Sequence, residues 1–552
     1  MDKLWLKHYQ QGVPHEINVN EYASMVHLFD EVCIEQANHI AYVNMGCEIS
    51  YRELDKRSLQ MAVFLQQLGL KKGARVAIML PNLLQYPIML FAILRASFVV
   101  VNTNPLYTPD EITHQLNDAG AEAIVVLSNF AHTVEEALPQ MPFLRHVIVT
   151  DIGDSFPLFK RIVVNAVVKY IKKMVPPFTI PGATRFTEAL KLGAKGRFKP
   201  EILNHQDIAF LQYTGGTTGI SKGAMLTHRN MVANVLQASA WISPLSLTHK
   251  EIIVTALPLY HIFSLTANCL TFFKVGAKNI LITNPRDFPR FIKDIKNSGF
   301  TAITGVNTLF NALLNQPNFK TVDFSKLRLA LSGGMALQKS IAIKWRDLTH
   351  SRILEAYGLT ETSPAVSINP LYLKEYNGSI GLPLPSTDIS IRDEDGKELP
   401  IGEEGELCIK GPQVTPGYWQ RDEETADIFW PDQFLRTGDI AKVDSEGYIY
   451  LVDRKKDMIL VSGFNVYPNE VEQVISMLPG VLEVGVVGVN QDETGEHVKA
   501  CIVKRDPALT AELVIAHTRK HLTAYKIPKI VEFYDELPKT NVGKILRRAL
   551  KY

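Results

Sequence analysis

The 552-residue sequence has little of several features that would place a protein in a class at once. Its five cysteines are scattered and never spaced as Cys-x-x-Cys, which argues against a disulfide scaffold or a zinc cluster and fits reduced thiols in a cytoplasmic protein. The 58 Lys and Arg residues balance 57 Asp and Glu residues, so no overall charge suggests a nucleic-acid partner. No stretch reaches the roughly 18 apolar residues of a transmembrane helix, and no apolar signal core follows Met1. We therefore expect a cytoplasmic protein that is not integral to a membrane.

The first part of the chain alternates strand-like and helix-like segments. Short apolar runs at 75–80, 123–127 and 146–150 predict buried strands, and segments 52–68 and 109–119 predict helices between them. This alternation is typical of α/β domains with largely parallel sheets. The length exceeds what one hydrophobic core supports, roughly 250–300 residues, so we expect several structural units.

The pattern changes after residue 381. Strand-like pieces separated by Gly and Pro turns predict a β-rich subdomain up to residue 450. A charged run at 453–458 predicts a linker, and the remaining residues show their own strand and helix pattern. The expected fold class is α/β, with a large N-terminal domain (1–452) of two α/β subdomains and a β-rich subdomain. A hinge (453–458) joins it to a small C-terminal α+β domain (459–552).

Residues 157–175 form a basic amphipathic segment without any acidic residue. Lysines, an arginine and an asparagine recur every three to four residues, and most of the other residues are apolar. Such a helix either packs its broad apolar face on a core or lies on an anionic membrane surface. We therefore keep peripheral membrane contact through 157–175 as an alternative.

The chemically most informative segment is a loop rich in Gly, Thr and Ser, at 213–223. A strand-like run, Ile208–Tyr213, precedes it, and a helix-like run follows from about Thr227. Glycine lets backbone N–H groups approach phosphate oxygens, and hydroxyls and a lysine add donors. The loop lacks a Walker A spacing, so a kinase or GTPase is disfavoured. Its candidate nucleotide-binding residues are Tyr213, Thr214, Gly215, Gly216, Thr217, Thr218, Gly219 and Lys222.

This loop resembles a signature of the adenylate-forming superfamily, which includes acyl-CoA synthetases, luciferases and peptide-synthetase adenylation domains. Four further segments resemble the other signatures of that superfamily in the same order: 357–362, 434–439, 453–459 and 538–545. Segments 82–87, 104–109 and 461–468 are especially similar to bacterial long-chain fatty-acid–CoA ligases. The resemblance implies activation of a fatty acid by ATP to an acyl-adenylate, with release of pyrophosphate, and then transfer to CoA, a reaction that supplies fatty-acid metabolism and β-oxidation.

The resemblance also implies roles for single residues. Thr360 would bind a phosphate, Glu361 would hold Mg²⁺, and Asp439 and Arg454 would contact the ribose of ATP. Lys544 would offset the repulsion between the attacking carboxylate and the α-phosphate. At the adenine site, small residues would leave room for the base, and Tyr357 would stack on it. The residues implied for this site are Gly333, Gly334, Glu355, Ala356, Tyr357 and Gly358.

The resemblance implies that the small domain rotates between the two half-reactions, with Lys456 at the hinge. The second arrangement would present Ser462, Gly463 and Phe464 to CoA, and His261 would lie where the acyl and CoA paths meet. Gly305, at a place where relatives often carry proline, suggests a pocket open to longer chains.

Three other functions stay open at this point: an acyl-AMP ligase that loads a carrier protein, a non-catalytic acyl-lipid sensor, and a luciferase-like oxygenase. A homodimer also stays open, because dimers are common among long-chain relatives.

Overall fold

The computed structural model describes residues 3–214, 221–461, 464–492, 495–540 and 542–551. Two π-helical segments occur in it: Val167–Ile171 continues α6, and Leu265–Thr271 joins α9 to α10. Short 3₁₀ turns connect other elements. The α-helices are α1 (Met25–Glu35), α2 (Tyr51–Gln67), α3 (Gln85–Arg95), α4 (Pro109–Ala119), α5 (Ala131–Ala137), α6 (Leu158–Ala166), α7 (Phe186–Gly193), α8 (His228–Ile242), α9 (Ile262–Ser264), α10 (Phe272–Lys274), α11 (Phe288–Ile295), α12 (Asn307–Leu314), α13 (Lys339–Thr349), α14 (Asp422–Asp427), α15 (Pro468–Ser476) and α16 (Ala511–His521).

The strands of the described residues form four sheets. In chain order they are β1 (Ile40–Asn44), β2 (Cys47–Ser50), β3 (Arg75–Met79), β4 (Val99–Asn102), β5 (Ala121–Leu127), β6 (His146–Thr150), β7 (Thr184–Arg185), β8 (Ile208–Tyr213), β9 (Gly223–Thr227), β10 (Ile252–Thr255), β11 (Lys278–Leu281), β12 (Ala302–Gly305), β13 (Leu329–Gly333), β14 (Ile353–Gly358), β15 (Ala365–Ile368), β16 (Leu382–Pro383), β17 (Asp388–Arg392), β18 (Gly405–Lys410), β19 (Leu435–Val443), β20 (Ile449–Arg454), β21 (Ile459–Val461), β22 (Phe464–Val466), β23 (Val481–Asp492), β24 (Gly495–Lys504) and β25 (Ile530–Tyr534).

Two large sheets of mainly parallel strands make up the α/β part of the chain. One has seven strands in the order β7-β6-β5-β3-β4-β8-β9, and the other has nine in the order β16-β15-β14-β13-β12-β10-β11-β1-β2. Their central strands are almost fully buried, as continuous apolar runs predict for parallel strands covered by helices on both faces. The prediction of two α/β subdomains is confirmed.

The remaining two sheets are smaller. Strands β17-β18-β19-β20 form an antiparallel sheet, as predicted for the β-rich subdomain. A five-stranded sheet of β21 to β25 carries the small α+β domain. The charged run predicted as a linker begins inside β20, which continues to Arg454 and pairs that residue with Asp439. Asp453 is fully buried. Two contacts stabilise its carboxylate there: it accepts a bond from the Asn469 N–H at 2.9 Å and lies 3.6 Å from Arg547.

The basic segment is helical, but most of its apolar face is not covered. Neither α6 nor the π-segment after it contains a buried residue. Val164 and Val168 touch the core, and Asn165 fixes the inner face by accepting a bond from the Gly153 N–H at 2.8 Å. Of the two alternatives for this segment, packing of the whole apolar face on the core is therefore wrong. The exposed apolar face consists of Leu158, Phe159, Ile162, Val163, Tyr170, Ile171 and Met174. Among the described residues, none of the helices has the length and apolar character to cross a bilayer.

Candidate active site

A cavity of about 940 Å³ lies beside the nine-stranded sheet and reaches both the β-rich subdomain and the small domain. Its size is typical of ligand pockets, roughly 300–1,000 Å³. Its lining includes the carboxyl ends of β13 and β14, where Gly333 pairs with Ala356. Ligands of open α/β sheets bind at this edge, so the sheet order itself places a site here.

One part of the cavity is an apolar channel. Leu329, Leu331 and Gly333, alternate residues of β13, line it, as expected when one face of a strand borders a cavity. They span roughly 13 Å at the rise of a parallel strand. Ala238 and Ile242, one turn apart on α8, also line the channel. The channel is therefore elongated.

The other part of the cavity is polar and is organised around Asp439. This carboxylate is 2 % exposed, accepts a bond from the Tyr357 hydroxyl at 2.6 Å, and lies 3.3 Å from the Arg454 guanidinium. Burial raises the pKa of Asp439, while Arg454 and the Tyr357 hydroxyl oppose that rise. The carboxylate is thus held in one orientation, with its charge partly offset.

The described ends of the glycine-rich segment belong to two antiparallel strands. Strands β8 and β9 pair up to Tyr213 and Gly223, and the Thr214 N–H donates to the Lys222 carbonyl at 3.0 Å. Thr214 and Lys222 both line the cavity. The sequence pattern predicted β8 and the helix after it but missed β9. The predicted phosphate-binding residues Gly215, Gly216, Thr217, Thr218 and Gly219 lie outside the described residues.

Glu361 lies beside these two strands. Its carboxylate accepts a bond from the Tyr418 hydroxyl at 2.5 Å, and the Lys222 ammonium lies 5.4 Å from the centre of the Tyr418 ring. Thr360, Glu361, Tyr418 and Lys222 all line the cavity. Sequence reasoning missed Tyr418, since a single tyrosine after a glycine carries no recognisable signal.

Lys544 comes from the small domain and enters the cavity next to Gly334. A Cβ at Gly334 would lie 3.6 Å from the Lys544 ammonium. Burial, together with the nearby charge of Arg454, lowers the pKa of Lys544 to about 8. Burial, and then the charge of Lys544, lowers the pKa of His261 to about 3, so this imidazole is neutral at neutral pH. The Phe263 N–H donates to His261 Nδ1 at 3.4 Å.

The cavity brings together most of the residues predicted from the sequence, although they are far apart in the chain. All of the following line it: Thr214, Lys222, His261, Gly333, Gly334, Ala356, Tyr357, Gly358, Thr360, Glu361, Asp439, Arg454, Lys456 and Lys544.

Three predicted residues are placed elsewhere. The Tyr213 hydroxyl donates to Asp118 at 2.7 Å, outside the cavity. Glu355 is buried behind it, where it accepts a bond from the Leu337 N–H at 3.3 Å, and burial raises its pKa to about 8. Phe464 is exposed on the small domain and stacks on Tyr525 at 4.7 Å.

Ser462, Gly463 and Gly305 were also predicted to act in this region. Ser462 and Gly463 lie outside the described residues. Gly305 does not open the pocket, because a Cβ built there would meet the Phe310 ring at 2.8 Å. Leu331 and Ala238 border the channel instead.

Comparison with known proteins agrees with this geometry. The family described as "AMP-binding enzyme" matches residues 29–419, and the family "AMP-binding enzyme C-terminal domain" matches residues 470–544. The chain belongs to the AMP-binding enzyme family.

Individual relatives are similar over the full length of the chain. A long-chain-fatty-acid–CoA ligase of Escherichia coli O6:H1 is 56% identical, covering 100% of this chain and 98% of its own. A ligase of the same description from Haemophilus influenzae is 50% identical with the same coverage. Among solved structures, an anthranilate CoA ligase in complex with anthranoyl-AMP has a TM-score of 0.85 at 25% identity, covering 97% of this chain and 98% of its own.

Proposed function

We propose that this AMP-binding enzyme is a long-chain fatty-acid–CoA ligase. It joins a fatty acid to AMP with release of pyrophosphate, and then transfers the acyl group to CoA, giving acyl-CoA and AMP. The observation that carries the proposal is the single cavity that combines an elongated apolar channel with a polar part lined by Asp439, Glu361 and Lys544. The full-length relatives named long-chain-fatty-acid–CoA ligases support it.

In the first half-reaction, the fatty-acid tail occupies the channel beside β13 and α8, and its carboxylate faces Lys544. The carboxylate oxygen attacks the α-phosphorus of ATP, and pyrophosphate leaves. The protonated Lys544 offsets the repulsion between the carboxylate and the α-phosphate. The negative charge of these two groups in turn favours the ammonium form of Lys544. Asp439 accepts hydrogen bonds from the ribose hydroxyls, and Arg454 contacts the same sugar.

The polar part of the cavity fits Mg²⁺ carried by ATP. Across the described ranges no group of three or more His, Cys, Asp or Glu side chains forms a cage of protein ligands. Glu361 offers one hard carboxylate beside Thr360, and Mg²⁺ commonly combines one or two carboxylates with substrate phosphates. Bound by Glu361, the ion would neutralise phosphate charge.

In the second half-reaction the small domain turns about Lys456 and withdraws Lys544. The face around Phe464, which is exposed in the present arrangement, then lines the path of CoA. His261, neutral at the working pH, borders this path without adding charge. The domain boundaries 1–452, 453–458 and 459–552 are part of this proposal; the hinge then includes the last two residues of β20, which ends at Arg454, and β21 begins at Ile459.

A panel of acids from acetate to oleate tests the function, with ATP, Mg²⁺ and CoA supplied. We expect acyl-CoA and AMP in equal amounts, with higher kcat/KM for the long acids. Adenylate without CoA thioester would instead favour the acyl-AMP ligase that loads a carrier protein. No turnover of any long-chain acid would refute the proposal.

We also propose that the exposed apolar face of 158–174 binds an anionic membrane surface. Five cations and no acid lie in residues 157–175, so the segment matches an anionic headgroup layer in charge as well as in polarity. Phe159 is 82% exposed and Ile171 is 74% exposed. The protein would then be cytoplasmic and peripheral, close to the bilayer that holds its substrate.

Flotation with vesicles of anionic or zwitterionic lipid tests this location. We expect binding to anionic vesicles that is lost in the double variant Phe159→Ser/Ile171→Ser. Ile202→Ser, at an apolar residue that is 87% exposed elsewhere, is the matched control and should bind like the wild type. If the double variant instead splits a dimer and lipid binding is unchanged, the face is a homodimer interface.

A further inference from the structure

Two polar side chains of α12 connect the large domain to main-chain carbonyls of the small domain. The Thr308 hydroxyl donates to the Gly543 carbonyl at 2.8 Å, and the Asn311 amide donates to the Leu482 carbonyl at 2.9 Å. Thr308 is 9% exposed and Asn311 is 4% exposed. They lie three residues apart and so share one face of the helix. The first bond acts one residue away from Lys544.

The large-domain side of this contact is held in place by its own hydrogen bonds. The Asn315 amide donates to the Asn311 side-chain oxygen at 3.0 Å, which turns the Asn311 NH₂ group towards the small domain. The Gln338 N–H donates to the Asn307 side chain at 3.0 Å and fixes the start of α12. These bonds therefore hold the Asn311 amide and the first turn of α12, which carries Thr308, in place for the contact.

The small-domain side is a tight turn that carries Lys544. The Gly543 N–H donates to the Thr540 carbonyl at 2.9 Å, and the Lys544 N–H donates to the Thr540 hydroxyl at 3.1 Å. Gly543 has φ +84°, and a Cβ there would lie 3.0 Å from the Thr308 hydroxyl oxygen. The turn thus rests directly on Thr308, and a shift of this contact would move the lysine.

We propose that Thr308 and Asn311 are positioning residues, which hold the small domain in the adenylating arrangement and thereby place Lys544. The inference rests on the proposed function. The carbonyls of Gly543 and Leu482 move with the small domain, whereas α12 belongs to the large domain. Rotation of the small domain breaks both bonds and exposes the two donors and the two carbonyls to water. The two bonds therefore favour the first half-reaction and contribute nothing to the second.

Thr308→Val tests the proposal because it removes the donor and keeps the shape. Acid-dependent exchange of pyrophosphate into ATP should slow in kcat by about 3- to 10-fold, the effect of one lost hydrogen bond, with an unchanged KM for ATP. Thioester formation from preformed acyl-adenylate and CoA should keep its rate, which also shows that the variant folds. Thr308→Ser should restore exchange. Thr321→Val, at an exposed hydroxyl that donates to the nearby Asn318 carbonyl, is the control.

Hydrogen–deuterium exchange with ATP alone provides a measurement that needs no acyl substrate. Amides of 542–546 should exchange faster in Thr308→Val and in Asn311→Leu than in the wild type or in Thr321→Val. Equal losses in both half-reactions, or unchanged exchange in this turn, would overturn the inference. A wild type that activates no long-chain acid would refute the proposed function, while the exchange measurement would still decide the role of Thr308.

Discussion

The Tyr357 hydroxyl donates a 2.6 Å hydrogen bond to Asp439, and both groups are almost fully buried at the wall of the cavity. Tyr357 lies in β14 of the nine-stranded sheet, and Asp439 lies in β19 of the antiparallel sheet. The bond therefore joins two subdomains. A residue predicted only as a stacking surface for adenine therefore also orients the carboxylate predicted to hold the ribose.

Tyr357→Phe should weaken ATP binding most at low pH. The hydroxyl stabilises the ionised form of Asp439, whose pKa is already raised by burial, so its loss should raise that pKa further. Asp439 is ionised above its pKa and protonated below it. As the pH falls, the KM for ATP should rise in both enzymes. In the variant this rise should begin at a higher pH than in the wild type. Measurement of that KM between neutral and mildly acidic pH checks this, and parallel profiles for both enzymes would contradict it.

The adenylation step should lose activity as the pH rises through about 8. The pKa of Lys544 is lowered to about 8 in the enzyme without substrates, so the ammonium form is present below this pH and is lost above it. The quantity to follow is kcat/KM for acyl-adenylate formation, since it reports groups of the free enzyme. Thioester formation from preformed adenylate should lack this alkaline decline. The same decline in both half-reactions would show that another group titrates.

Ala238→Phe should shift the preference towards shorter acids. Ala238 lines the channel across from β13, and a phenyl ring there would fill part of the apolar space. Lost methylene contacts in an apolar pocket cost about 1–3 kcal/mol. We therefore expect kcat/KM for oleate to fall by about tenfold or more, with little change for short acids. Ala240→Phe on the same helix, outside the lining, serves as the control. An unchanged chain-length profile would place the tail elsewhere.

Lys456→Pro should separate the two half-reactions at the hinge. Proline fixes φ and so resists the rotation that would withdraw Lys544. Pyrophosphate release in a single turnover should persist, while acyl-CoA production should fall by about 100-fold or more, on the order of 3 kcal/mol in the barrier. The two products are measured separately on one preparation. An equal loss of both would mean that the substitution disturbs the adenylating arrangement itself.

The sequence predicted best those features that depend on neighbouring residues. Strand β6 begins and ends where its apolar run does, and α4 has the predicted bounds, because the chain signals both locally through apolar runs, Pro109 and its capping Thr108. Strand β9 was missed, since Gly223–Thr227 becomes a strand by pairing with β8 and by a bridge from Ala224 to Tyr418.

The geometry of the candidate site was harder to predict. Motif resemblance named Asp439 and Lys544, but nothing local indicates that Tyr357 bonds Asp439 or that Thr308 meets the turn before Lys544. Periodicity identified the helix at 158–166, yet it could not tell whether other elements cover its apolar face. Such contacts between distant parts of the chain depend on the packing of whole subdomains.

The contact of Thr308 with the turn at Gly543 has a kinetic consequence. In the proposed function, the segment 453–458 tethers the small domain, so that domain would act as an intramolecular ligand at a high effective concentration, of millimolar order for short flexible linkers. Each hydrogen bond at this contact would then lengthen the time for which the domain stays docked. A tighter interface would prolong the residence time of Lys544 and delay the arrival of CoA, so modest affinity at this contact favours turnover.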